Sequence, residues 1–182
     1  MPKMLTAPRM ARCIGCDSCM LACARMIYSS FSPHKSAIQI RSRGGVMGRM
    51  VANICTACAE PVPCVEVCPT GAMRQSELGI VTVDLDRCVG CRYCEWACPY
   101  SAPQFDAALG QMTKCDFCMD YLQQGKAPSC VAACPMRVLD FGEFEELNRK
   151  YPAKHIYPLP DESLTQPAFA VKVHKSAEKA ED

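Results

Sequence analysis

Sixteen cysteines fall along 182 residues in four groups of four, with none left over. The groups are Cys13-x2-Cys16-x2-Cys19-x3-Cys23, Cys55-x2-Cys58-x5-Cys64-x3-Cys68, Cys88-x2-Cys91-x2-Cys94-x3-Cys98 and Cys115-x2-Cys118-x11-Cys130-x3-Cys134. Each opens with C-x2-C and closes with C-x3-C, and a proline (Pro69, Pro99, Pro135) follows the last three. So dense a set leaves two broad solutions, a disulfide scaffold or a metal protein. The disulfide solution needs an oxidising compartment, ordinarily reached through an export signal. The segment Met1-Pro2-Lys3-Met4-Leu5-Thr6-Ala7-Pro8-Arg9-Met10 has neither the apolar stretch of a signal peptide nor a twin arginine.

The third group, Cys88 to Pro99, has the spacing of [4Fe–4S] ligation in two-cluster ferredoxins. Three thiolates on so tight a loop can take three corners of one iron–sulfur cube. The fourth, followed by proline, is carried away to the neighbouring cube. Gly15, Gly90, Ala57 and Ala97 beside the ligands are small enough to admit a cube. Zinc knuckles need neither a third cysteine two residues on nor a closing C-x3-C-P. Covalent haem is excluded because no C-x2-C pair is followed by His. A radical-type C-x3-C-x2-C is absent, since Met26, Gly71, Ser101 and Arg137 stand where its third cysteine would be. Sixteen cysteines fit four [4Fe–4S] clusters with every iron ligated. A cluster that acts on substrate keeps one iron open, so full ligation points to electron transfer.

No paired-carboxylate or nucleophile–base constellation stands out. His34, His155 and His174 read as surface residues, and Tyr93, Trp96, Tyr100 and Phe117 as packing over the clusters to exclude water. Arg87, Arg92 and Lys114 adjoin cysteines, where a positive charge either raises a cluster potential or is solvated. The formal charge of +1 excludes a strong nucleic-acid footprint, and with it a DNA-binding iron–sulfur regulator. No apolar run approaches the length of a transmembrane helix.

Between the groups the pattern predicts short elements. Ala37 to Arg41 alternates like a strand, Gly44-Gly45 reads as a turn, and Arg41, Arg43 and Arg49 make this insert basic. Gly79 to Asp84 reads as a strand, residues 119–129 as a loop within the fourth ligand set, and Phe141 to Tyr151 as a helix ended by Pro152. From Pro152 the composition shifts to a proline-rich tail, with one strand expected over Phe169 to Val173.

A strand between groups two and three is what a two-cluster ferredoxin domain places there, and it pairs those groups. Exchange of fourth ligands then assigns Cys55, Cys58, Cys64 and Cys98 to one cluster and Cys88, Cys91, Cys94 and Cys68 to its neighbour. Groups one and four are left to pair, as Cys13, Cys16, Cys19 with Cys134 and Cys115, Cys118, Cys130 with Cys23. Sequential pairing, one with two and three with four, is the rival at this point.

Three stretches carry a resemblance: Cys94-Glu95-Trp96-Ala97-Cys98-Pro99-Tyr100-Ser101-Ala102-Pro103-Gln104-Phe105-Asp106, Met112-Thr113-Lys114-Cys115-Asp116-Phe117-Cys118, and Cys134-Pro135-Met136-Arg137-Val138-Leu139-Asp140-Phe141-Gly142. With the tail from Leu159 to Lys172, they resemble the four-cluster iron–sulfur (beta) subunits of molybdenum and tungsten oxidoreductases of the dimethyl sulfoxide reductase type. That resemblance implies the nested cluster pairing and an α+β chain of two ferredoxin-like halves. The outer half would span residues 1–54 and 100–151, with a basic hairpin insert at 28–54. The inner half would span 55–99, and an extended tail 152–182. It also implies a non-catalytic subunit working with a large molybdenum- or tungsten-pterin catalytic subunit, and with a further electron-carrier or membrane-anchor subunit. Group one departs in having Ala24 where proline would stand. Ser36 to Gly48 is more similar to iron–sulfur partners of tungsten aldehyde oxidoreductase-type enzymes, which makes such a partner the second reading, beside a free-standing soluble polyferredoxin. The expected location is the cytoplasm; the alternative is export by riding on a partner's signal.

Overall fold

Prolines set the lengths of the helices. The computed structural model describes residues 3–42, 50–151 and 160–168. In chain order it contains β1 (Lys3–Thr6), α1 (Ser18–Tyr28), β2 (Gln39–Ser42), β3 (Met50–Asn53), α2 (Pro63–Glu66), β4 (Met73–Gln75), β5 (Val81–Val83), α3 (Tyr93–Ala97), β6 (Gln104–Asp106), β7 (Gln111–Thr113), α4 (Met119–Gln123), α5 (Ser129–Ala133), β8 (Asp140–Glu143) and α6 (Phe144–Lys150). A residue before proline is driven out of the helical region. Cys98 and Cys134, each before a proline, accordingly end α3 and α5 in extended backbone after five residues. Cys23 is followed by Ala24 instead, and α1 runs through it for 11 residues.

The strands form four two-stranded antiparallel ladders, β1–β8, β2–β3, β4–β5 and β6–β7. The first joins the N-terminal strand to residues 140–143, in the register Lys3↔Glu143 to Thr6↔Asp140. Helix α1 packs on α5, and α2 on α3. One apolar core gathers Leu5, Ile38, Ile80, Phe117 and Leu139, and a second gathers Met73, Val81, Cys94 and Met112 with Phe105 at its margin. Phe117 is 1% exposed; fully burying such a side chain stabilises by roughly 1.5–3 kcal/mol. The mixed helix and strand content makes this an α+β chain. Among the described residues no helix is long and apolar enough to cross a membrane.

The structure corrects two expected elements. The helix expected from Phe141 starts only at Phe144, because Asp140–Glu143 extends to pair with β1. Local periodicity there is overruled by a partner at the far end of the chain. Its charge order is as the sequence suggests, with Glu145 and Glu146 in the first turn and Arg149 and Lys150 in the last. Residues 119–129 are not all loop, since α4 occupies Met119–Gln123.

The strands flanking the basic insert pair from Gln39↔Asn53 to Ser42↔Met50. Gly44-Gly45, Arg43, Arg49, the strand expected over Phe169 to Val173, and most of the tail lie outside the described residues. The described part of the tail packs on this chain: Tyr100 Oη is 3.0 Å from Thr165 Oγ1, and Ala59 N–H donates to Gln166 O at 3.1 Å.

Candidate metal centres

All four cysteine loops share one backbone device. The residue before the second cysteine has positive φ in each: Gly15 (67°), Ala57 (46°), Gly90 (67°) and Phe117 (60°). This left-handed residue turns the chain so that two thiols three positions apart face one side. Glycine adopts it freely, whereas Ala57 and Phe117 hold it at a cost that packing offsets. At Gly90 a second constraint applies, since a Cβ there would lie 2.1 Å from the Gly110 carbonyl oxygen. The missing side chain at Gly90 thus leaves room for the β6–β7 turn.

The loops bring the sixteen thiols to four cavities, four to each. Cys13, Cys16, Cys19 and Cys134 line the first, and Cys68, Cys88, Cys91 and Cys94 the second. Cys55, Cys58, Cys64 and Cys98 line the third. The fourth, of about 300 Å³, is lined by Cys23, Cys115, Cys118 and Cys130. All sixteen are free thiols. Among the described residues no group of three or more His, Cys, Asp or Glu side chains is placed to hold a single metal ion. Four thiols around each cavity suit the corners of a polynuclear cluster.

Backbone amides point at the sulfurs where the chain turns after Cys-Pro. Met73 N–H donates to Cys68 Sγ at 3.5 Å, Ala102 N–H to Cys98 Sγ at 3.5 Å, and Val138 N–H to Cys134 Sγ at 3.3 Å. Met112 N–H donates to Cys88 Sγ at 3.4 Å. In the fourth cavity the Ser129 hydroxyl lies 3.5 Å from Cys118 Sγ. Such hydrogen bonds stabilise negative charge on sulfur and are one of the protein's levers on cluster potential.

Two patterns for 4Fe-4S dicluster domains match the chain, over residues 46–144 and 12–72. The B subunit of anaerobic dimethyl sulfoxide reductase from Escherichia coli is 39% identical, over 94% of this chain and 89% of its own length. Its counterpart of the same name in Haemophilus influenzae is 40% identical over the same shares. The protein belongs to the family of dimethyl sulfoxide reductase B subunits. The thiosulfate reductase electron transfer subunit PhsB of Salmonella typhi is 38% identical over 80% of each protein.

In this family member burial raises the pKa of several of the thiols. It pushes Cys19 and Cys64 up to about 12 and Cys94 up to about 11, and drives Cys115 and Cys130 well above the ordinary value. At Cys68 burial pulls the same way, but the Met73 amide and Thr70 outweigh it and the thiol falls below its usual value. Exposed Cys16 is lowered by its hydrogen bond with Ser18. Crowded buried thiols keep their protons until a positively charged acceptor takes them as thiolates, so the donor set fits metal-cluster binding with proton release.

The four aromatic side chains expected over the clusters divide. Phe117 and Tyr100 are buried, whereas Tyr93 is 50% and Trp96 71% exposed in this chain alone. His34 is exposed, as expected, and the other two histidines lie outside the described residues. Of the basic residues beside cysteines, Arg87 is exposed and donates to Thr70 O at 2.6 Å, and exposed Arg92 pairs with Glu95. Lys114 differs from both: it is 6% exposed. Burial alone would lower its pKa, but Cys55, Cys115 and Cys64 around it outweigh that and raise it.

Proposed function

We propose that this chain is a non-catalytic electron-transfer subunit that relays electrons between a molybdenum- or tungsten-pterin catalytic subunit and a second redox partner. The observation that carries the reading is the distribution of the sixteen free thiols over four cavities, four to each. A [4Fe–4S] cluster supplies one-electron redox chemistry with little change in shape. Everything else falls to the chain, whose cysteines hold each cluster while amides such as that of Val138 steady the sulfurs. Buried Phe117 and Tyr100 limit water.

The ligand sets we assign are Cys13, Cys16, Cys19 and Cys134; Cys68, Cys88, Cys91 and Cys94; Cys55, Cys58, Cys64 and Cys98; and Cys23, Cys115, Cys118 and Cys130. Groups one and four then enclose groups two and three in a nested order. We divide the chain accordingly, with 1–54 and 100–151 as the outer half and 55–99 as the inner. The β1–β8 ladder and the packing of α1 on α5 support the outer half, and α2 on α3 the inner. The β6–β7 hairpin bridges them, with Gln111 donating to Cys88 O at 3.2 Å. We assign the tail, 152–182, to docking on the large subunit, with its described part, 160–168, seated on this chain as well. Assembly of so many reduced thiols favours the cytoplasm as the site of folding.

Affinity purification of the chain from its native host under anaerobic conditions tests the reading. A large pterin-containing subunit with molybdenum or tungsten should copurify in fixed proportion. Recovery of the chain alone, fully loaded and reducible by soluble carriers, would replace it with the free-standing polyferredoxin.

A further inference from the structure

Lys114 is the one charged side chain buried among the described residues; the other buried polar ones are Thr6, Ser36, Thr56 and Thr165. It stands at the junction of strand β7 and Cys115, between two cavities, and lines both the one of Cys55, Cys58, Cys64 and Cys98 and the one of Cys23, Cys115, Cys118 and Cys130. It lines neither of the other two. Its Nζ donates to Val81 O and, at 2.6 Å, to Cys115 O.

A buried ammonium is costly unless negative charge surrounds it. Two carbonyl dipoles do not amount to a counter-charge, whereas two sets of thiolates do. A fixed positive charge beside a redox site favours its reduced form, and net charge is among the levers that set cluster potential. We propose that Lys114 is a positioning residue for electron transfer: its charge, shared between these two cavities, raises the potentials of both sites together. The same charge offsets part of the negative charge that builds up when both sites are reduced. One electron leaves one site and arrives at the other. No bond changes and the ammonium keeps its protons. This inference rests on the cluster assignment above.

The test is a potentiometric titration followed by electron paramagnetic resonance, on the anaerobically purified complex carrying Lys114→Gln or Lys114→Arg. Glutamine keeps a donor for the carbonyls and removes the charge; arginine keeps the charge. Four cluster signals in the wild type establish the underlying reading, and their absence would defeat that reading separately. In Lys114→Gln two of the four midpoints should fall together while two stay in place, with the iron content unchanged. In Lys114→Arg all four should stay near wild type. Four unmoved midpoints in Lys114→Gln, a single moved one, or an equal shift of all four would overturn the proposal. Should Lys114→Gln fail to assemble, Lys114→Arg decides. Full iron with wild-type midpoints supports the proposal, and full iron with lowered midpoints overturns it. Loss of iron in both variants also overturns it, because Lys114 would then hold the fold rather than the potentials.

Discussion

Cys13 and Cys134 face one cavity although the other fourteen cysteines lie between them in sequence. The charge of Cys134 acts on Cys13, and Val138 N–H donates to the Cys134 sulfur from the turn after Pro135. The last cysteine thus closes the first cavity. Cys134→Ala should remove the same electron paramagnetic resonance signal as Cys16→Ala, with loss of about four irons per chain. If it removes the signal lost in Cys115→Ala instead, the assignment of groups one and four is wrong.

Cys98 makes the matching crossing inside the chain. It lines the cavity of Cys55, Cys58 and Cys64, and not that of its own group. Cys98→Ala and Cys58→Ala should therefore abolish one common signal and spare the one that depends on Cys91. Loss of the Cys91-dependent signal in Cys98→Ala would contradict the crossing.

The cysteine loops themselves are legible in the sequence because their spacing follows local rules. Three closely spaced thiols share a loop, and a cysteine before proline leaves it. The four ligand sets we propose rest on the strand between groups two and three and on the family resemblance, and the lining of the four cavities supports them. What was not legible depends on distant partners. Lys3–Thr6 and Asp140–Glu143 are four-residue segments whose pairing no local periodicity announces. Lys114 reads as a surface residue by type, and only the packing of β5 and two cysteine loops around it makes it a buried charge. Trp96 sits between two ligands in sequence yet projects outward.

The contact of Gly90 with Gly110 separates space from backbone strain. Both have φ of +67°, but a Cβ at 90 would strike the Gly110 carbonyl oxygen at 2.1 Å, while one at 110 meets nothing within 4 Å. Gly110→Ala should cost about 1 kcal/mol from its left-handed conformation alone. Gly90→Ala should cost more than about 2 kcal/mol, because backbone must move, and should weaken the site of Cys68, Cys88, Cys91 and Cys94. Thermal unfolding of the two anaerobic variants checks the order; equal losses would contradict it.

Asp140 ties Arg9 to Lys150 and Tyr151 through one carboxylate oxygen. Its Oδ2 accepts from Tyr151 Oη at 2.9 Å and from Lys150 Nζ at 3.1 Å, with Arg9 Nη2 at 3.7 Å. Burial acts to raise its pKa, but Lys150 and Tyr151 outweigh that and hold it below the ordinary carboxylate value. A carboxylate lowered by folding stabilises above its unfolded pKa of about 3.9, and that contribution is lost as pH falls through the folded value. Asp140→Asn should therefore lower stability by about 1 kcal/mol at neutral pH, a figure limited by solvent screening. The two proteins should converge in acid. Parallel unfolding curves at neutral and acid pH check this, and a constant difference between them would contradict it.

An electron relay requires that the sixteen cysteines hold iron–sulfur clusters. Iron, acid-labile sulfide and zinc per chain, measured on anaerobically purified protein together with the reducing equivalents it accepts, test this most directly. The predicted result is about sixteen irons, about sixteen sulfides and about four electrons, with no stoichiometric zinc. Stoichiometric zinc without sulfide, or a chain that accepts no electrons when fully loaded, would contradict the relay.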